Sequence, residues 1–188
     1  FYLDEDYPIR LRNIHDCPFF LFCRGDMDLN PRRSLAIIGT RAITERGRIF
    51  IDQLVEALRP YDPTIISGLA YGADVTAHRA AVKNGLQTIG VMGTGFNRIY
   101  PYEHRGIAEK MESQGGLVTE FLYEQGPDQM HFPMRNRIIA GLSDAVLVIE
   151  SGQRGGSMIT ADLALGYGRE VYAVPGRVND KRSKGCNL

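Results

Sequence analysis

The 188-residue sequence has no excess charge of either sign: 22 lysines and arginines stand against 22 aspartates and glutamates. Overall composition therefore gives no support to a nucleic-acid role, which would need a local cationic patch. No apolar run approaches membrane-spanning length, and the start, Phe1-Tyr2-Leu3-Asp4-Glu5-Asp6, lacks the basic-then-apolar plan of a signal peptide. The expectation is a cytoplasmic protein with no membrane partner. Three cysteines (Cys17, Cys23, Cys186) form no paired metal spacing and leave an odd thiol, which fits structural residues in a reducing compartment. His15, His104 and His131 show no ligand spacing either, so no metal is expected. With no Met at its start and no capping element after Gly185-Cys186-Asn187-Leu188, the chain is expected to be a piece of a longer protein.

Several catalytic signatures are also missing. Gly93-Thr94-Gly95-Phe96-Asn97-Arg98 has two glycines of a dinucleotide fingerprint but Arg98 where the third belongs, and no acidic residue sits suitably at the next strand end. NAD is disfavoured on that ground, and ATP hydrolysis by the absence of a Walker lysine. Ser67 and Ser157 lack a nucleophile elbow. Asp74 and His78 stand four apart on a helical pattern, a spacing that more often gives a local contact than a dyad. Glu120 and Glu150, at strand ends, are open to two readings: bases or ribose ligands, or structural caps. No catalytic residue and no cofactor is assigned.

What is present is a rhythm. Residues 1–33 read as an N-terminal appendage, whose run Pro18-Phe19-Phe20-Leu21-Phe22-Cys23 is a strand candidate for the edge of the main sheet. From Ser34 to Leu188, short β-rich runs alternate with amphipathic segments. Strands are predicted at 35–38, 64–67, 88–92, 117–121, 145–149 and 170–174. Helices are predicted to start near Thr44, Ala73, Glu103, Met134 and Ser157, the first with Ile43, Phe50, Leu54 and Leu58 on one face and Glu45, Arg46 and Arg48 turned outward. Such βαβ units give an α/β fold, a doubly wound and mostly parallel sheet with helices on both faces.

The stretch His131–Leu165 concentrates the chemistry. Arg135-Asn136-Arg137 precedes a buried-strand run, and Gly155-Gly156-Ser157 then opens a helix, so cations and free backbone N–H groups converge on one strand end. Taken alone, the Gly-Gly-Ser turn is equally a tight loop whose glycines only turn the chain. Three further strand ends carry small-residue turns: Gly39-Thr40-Arg41, Ser67-Gly68 through Gly72, and Gly93-Thr94-Gly95. Ligands of such sheets bind outside the carboxyl ends of the strands. A shared anion site lined by N–H groups, Arg41, Arg135 and Arg137 is the best single explanation. Tyr71, Phe96, Tyr100, Tyr102 and Phe132 fall at or near the same rim, about two of them expected to stack on bases while the others pack.

The ordered set Ala36–Arg41, Ser67–Asp74 through Ala77-His78, Gly93–Gly95 with Tyr100-Pro101, Phe132-Pro133 through Arg135–Ser143, Gly155–Ser157 through Thr160-Ala161, and Ala173–Gly176 resembles the DNA-processing protein A (DprA/Smf) family. The resemblance runs from about Tyr7 to Leu188. It implies an extended Rossmann-like domain that binds single-stranded DNA, forms homodimers, protects incoming DNA and helps load the RecA recombinase in natural transformation. It places Arg41 as a DNA-contacting cation and Arg135 and Arg137 at the mouth of the pocket, with hydroxyls from Ser157 and Thr160. Phe132, Asn136 and the residues of the glycine turns complete the expected site. Family members often add a winged-helix-like C-terminal domain and sometimes a helical N-terminal one.

Two competing functions remain open from sequence. Arg154-Gly155-Gly156-Ser157 through Asp162 is similar to the phosphate turn of lysine-decarboxylase-like nucleotide phosphoribohydrolases, which release the base from nucleoside monophosphates. The leading proline and final glycine of that motif are missing, the spacing is one residue longer, and Asp replaces Glu. Alternatively the domain is chiefly an interaction module, with Met158, Leu163 and Leu165 as a dimer face, although that spacing more often marks core.

Overall fold

In the computed structural model, which describes residues 1–188, seven strands form one sheet. They are β1 (Phe22–Arg24), β2 (Ser34–Ile38), β3 (Thr64–Ser67), β4 (Thr88–Val91), β5 (Gly115–Thr119), β6 (Ala145–Val148) and β7 (Glu170–Ala173). The helices are α1 (Ile9–Arg12), α2 (Glu45–Leu58), α3 (Ala73–Asn84), α4 (Arg105–Met111), α5 (His131–Leu142) and α6 (Gly156–Gly166). The strand order is β1-β5-β4-β3-β2-β6-β7, parallel throughout except for β1 against β5. From β2 the chain winds outward through β3, β4 and β5, then returns to add β6 and β7 on the other side. The reversal leaves a crevice beyond the carboxyl ends of β2 and β6, the topological switch point of a Rossmann-like sheet.

The two-residue period of the strands sorts the core into layers. Ile37 and Ile65 point to the face covered by α2 and α3, where Ile51, Val55, Ala77 and Ala81 are buried. Ala36, Ile38 and Ile66 point to the opposite face, among Leu11 of α1, Ile138 and Ile139 of α5, and Ala161 and Ala164 of α6. Every residue of β3, β4 and β5 is buried, as expected of inner strands covered on both sides. No helix is long and apolar enough to cross a membrane.

Residues 1–33 share this core. Tyr7, Leu11 and Ile14 are buried against α5, and the missing side chain of Gly141 makes the room: a Cβ there would lie 2.7 Å from Leu11 Cδ1 and 2.8 Å from Ile14 Cδ1. The aromatic run expected as a strand yields only the three residues of β1, at the sheet edge, and leaves Phe19 and Phe20 exposed. The face expected for α2 is shifted by one position. Its buried stripe is Gly47, Ile51 and Val55, with Phe50 and Leu54 half-buried, because Gly47 admits Ile43 and Glu150 to within 2.7 Å of where a Cβ would stand. A glycine at the head of a stripe has no hydrophobicity to read.

Asp74 and His78 form no pair. The Asp74 carboxylate accepts from the Ala70 N–H (3.3 Å), whereas His78 is fully buried with Nδ1 2.7 Å from the Thr88 hydroxyl. Burial holds the His78 imidazole far below the usual histidine range, at about 3, with the neighbouring His104 and Arg135 acting in the same direction.

Two outcomes are expected. Leu11→Ala should cost about 2–5 kcal/mol in urea unfolding, within a single transition, because it opens a cavity in a core shared by both ends of the chain. Because the unfolded chain takes up a proton near pH 6.5 that folded His78 refuses until about 3, stability should fall as pH drops through that window. The loss from pH 7 to pH 5 should be about 2 kcal/mol, and the slope should flatten in His78→Asn.

Candidate nucleic-acid interface

A cavity of about 590 Å³ occupies the crevice at the switch point. One wall is the turn after β2. Thr40 donates its N–H to the Glu150 carbonyl (2.6 Å), and its hydroxyl accepts from the Ala42 N–H (3.2 Å). This turn sets Arg41 at the rim, exposed and in no ion pair, with its guanidinium carbon 5.9 Å from the centre of the Phe132 ring. Gly39 must be small here, since a Cβ would stand 2.9 Å from that of Ala73.

The facing wall is the turn after β6. Ser157 donates to the Ser151 hydroxyl (2.8 Å) and the Gly155 N–H bonds the Gly152 carbonyl (3.1 Å), folding the turn back on itself. Helix α6 then starts at Gly156 with no side-chain cap, so its first N–H groups face the cavity without a side-chain partner. Thr160, one turn on, also lines the cavity, and Asn136 ties α5 to this wall through the Gly156 carbonyl (3.4 Å).

Arg135 belongs to the floor. It is 5% exposed and donates to the carbonyls of Gly68 and Val91, which joins the ends of β3 and β4. Burial lowers its guanidinium to about 10, while the nearby Asp74 carboxylate acts to keep it charged. The same burial pushes the Asp74 carboxyl up, opposed by Arg135 and the Ala70 N–H. The expectation of Arg135 at the mouth is thus corrected: its cation lies beneath the cavity, with Nη1 engaged by two backbone carbonyls.

Arg137 does not line the cavity at all. Two residues apart on a helix, Arg135 and Arg137 project to different sides. Arg137 forms a bidentate pair with Glu120, at 2.5 and 3.1 Å, with Asp16 3.9 Å away. Its charge is therefore neutralised locally, and Glu120 serves as its partner. Glu150 likewise has a structural task, accepting from the Thr44 N–H (3.0 Å) and the Thr44 hydroxyl at the start of α2.

The two middle strand ends contribute less than their glycines implied. Ser67 is fully buried and donates to the Ile37 carbonyl (2.6 Å). Gly68 gives its side-chain space to Arg135, and Gly93 gives its own to the Phe132 ring. Thr94 is buried, its hydroxyl bound to the Arg98 carbonyl (2.8 Å), and Gly95 is closed over by the backbone of Leu122 and Tyr123. Gly68 and Gly93 do line a small recess beside the main cavity, with Arg41, Tyr71, Tyr100 and Phe132. Tyr100 and Phe132 lie 5.6 Å apart there, whereas Phe96 sits beneath Arg24. Sequence reasoning left out Ser151, the inner support of the Gly155–Ser157 turn; its place right after a buried strand was the available signal.

Residues 1–188 match the profile of the family described as DNA recombination-mediator protein A. The chain belongs to this family. It is similar to DNA processing protein DprA of Streptococcus pneumoniae, 39% identical over 185 residues, covering 98% of this chain and 65% of that protein. DprA of Bacillus subtilis is 42% identical over 182 residues, 96% of this chain and 61% of its own length. The chain thus spans less than two thirds of these relatives. The X-ray structure of the Streptococcus pneumoniae protein superposes with a TM-score of 0.93 over 98% of this chain and 65% of its own. That of DNA processing protein A from Helicobacter pylori, solved to describe that protein's single-stranded DNA binding mode, gives 0.88 at 29% identity over 96% of this chain and 83% of its own. The Rossmann-like fold and the DprA/Smf resemblance drawn from the motifs agree with these matches.

The two arginines at this DprA-family crevice should respond oppositely to removal. Arg135→Leu strips the buried Gly68 and Val91 carbonyls of their donor, takes the nearby cation from Asp74, and should lower stability by about 2–6 kcal/mol, the cost of two unsatisfied buried groups. Arg41→Ala, at an exposed and unpaired position, should stay within about 0.5 kcal/mol of the parent in the same urea titration.

Proposed function

We propose that this domain binds single-stranded DNA in the crevice between β2 and β6. Gly39-Thr40-Arg41 takes a phosphate on one wall, and the N–H groups of Gly156 and Ser157, held in place by the turn at Gly155 and joined by the Thr160 hydroxyl, take another on the facing wall. Arg135 holds the floor and adds to the positive potential from below, and Asn136 braces the Gly156 wall against α5. The Phe132 and Tyr100 rings offer flat faces to bases, which only an unpaired strand exposes.

The observation that most supports this reading is Arg41, an unpaired guanidinium at the rim of a large crevice whose lining contains a single carboxylate, the buried Asp74. Such a rim favours a polyanion, and neutral overall charge is no obstacle because only the groove must be positive. The Helicobacter pylori relative's single-stranded DNA binding supports the same assignment. Family membership extends the proposal to the whole protein. There it works without catalysis in the cytoplasm as a homodimer, protecting incoming DNA and helping to load RecA in natural transformation.

Fluorescence anisotropy with a labelled oligothymidylate tests the crevice. Arg41→Ala should weaken binding by about 1.5–3 kcal/mol, the range for a charged hydrogen bond. It should also reduce the slope of log K against log salt by about 0.7, the share of one phosphate contact on a single strand. Unchanged affinity and slope would remove the crevice as the binding site.

A further inference from the structure

After β7 the chain closes a loop beside the crevice. The Asn187 side chain accepts from the Gly176 N–H (3.0 Å) and donates to the Gly176 carbonyl (3.2 Å), clasping the two ends of the segment 176–187. Ser183 is buried against Gly176, which has no room for a side chain. Near the far end the Gly185 N–H donates to the Ser151 carbonyl (2.8 Å). A Cβ on Gly185 would lie 2.7 Å from the Gly152 carbonyl oxygen and 2.8 Å from Met158 Sδ. The loop is therefore seated on Ser151-Gly152, two residues that line the crevice.

Its charge is one-sided. Arg177, Lys181, Arg182 and Lys184 stand against one carboxylate, Asp180, in a chain whose total charge is zero. All four cations are exposed and none makes an ion pair. Arg154, on the turn that the loop rests against, is also exposed and unpaired. An ordinary solvated surface interleaves the two signs. Like charges collected on one clasped loop repel each other until a polyanion lies across them.

We propose that the loop 176–187 is a second phosphate-contacting surface, which receives the single strand as it leaves the crevice past Gly152. The proposal rests on the crevice being a single-strand site. Lys181, Arg182 and Lys184 meet phosphates and read no bases, so the loop adds affinity without sequence preference. Its contribution depends on strand length, because a short oligonucleotide fills the crevice and ends before the loop.

The test uses the chain with Lys181→Gln, Arg182→Gln and Lys184→Gln combined, against oligothymidylates of about 4 and about 16 nucleotides, the span of single-strand site sizes. With the longer strand the triple variant should bind at least about tenfold more weakly, and its salt slope should fall by about 2. With the shorter strand it should match the parent, and its circular dichroism melt should be unchanged. No loss on the longer strand would overturn the proposal, and so would equal losses at both lengths, which would put the loop's effect inside the crevice. Arg41→Ala, measured alongside, should weaken both lengths. If it weakens neither, the crevice reading fails; if it weakens both while the triple variant weakens neither, the loop alone is refuted.

Discussion

A buried guanidinium holds the site together. Arg135 donates to Gly68 and Val91, the carbonyls that terminate two neighbouring parallel strands, and faces Asp74 at the start of α3. Strand ends in a parallel sheet run out of ladder partners, and buried carbonyls left so are costly. One nitrogen of the guanidinium fork, Nη1, meets both carbonyls at once, one N–H to each. The glycine at position 68 leaves the space that the fork occupies. Three elements, β3, β4 and α5, thus meet on one side chain, and the walls of the crevice rise from that floor.

The walls themselves are built on economy of side chains. Gly39 admits Ala73, Gly155 lies against the Ser151 hydroxyl, and α6 starts with no capping group between its N–H donors and the cavity. Small residues leave much of the backbone facing the crevice, an arrangement that suits a ligand recognised through its phosphates. Specific side chains enter at only a few points: Arg41 for charge, Phe132 and Tyr100 for flat apolar area.

Much of this was legible beforehand. Five of the six strands from β2 to β7 start within one residue of where their apolar runs begin, because strands of a parallel sheet are continuous in hydrophobicity; β5 instead starts two residues early, at Gly115-Gly116, and stops at Thr119. A crevice beyond the carboxyl ends of the strands followed from the alternation of strand and helix; that β2 and β6 flank it did not, because strand order is set by tertiary pairing. What could not be read was which polar groups the protein keeps for itself. Arg135 and Arg137 look alike in sequence, yet neither stands free at the rim: one is sunk under the floor, the other locked to Glu120. Ser67 and Thr94 are likewise spent on internal carbonyls. Burial of a polar side chain is decided by partners far along the chain, 67 residues away for Arg135 and Gly68, and local pattern carries no trace of them. The stripe of α2 was expected one position away from its centre for a simpler reason, since its first member is a glycine.

Glu150 links the two walls. Its carbonyl takes the Thr40 N–H and its carboxylate takes Thr44, so the stretch holding Arg41 is moored at both flanks to the second residue past β6. A short span fixed at each end has little freedom to swing, which leaves Arg41 to adapt by turning its own torsions. Exposed side chains reorient in picoseconds to nanoseconds, far faster than loops open and shut. At this corner of the rim, adjustment to a ligand thus falls to a side chain and leaves the backbone between Thr40 and Thr44 in place.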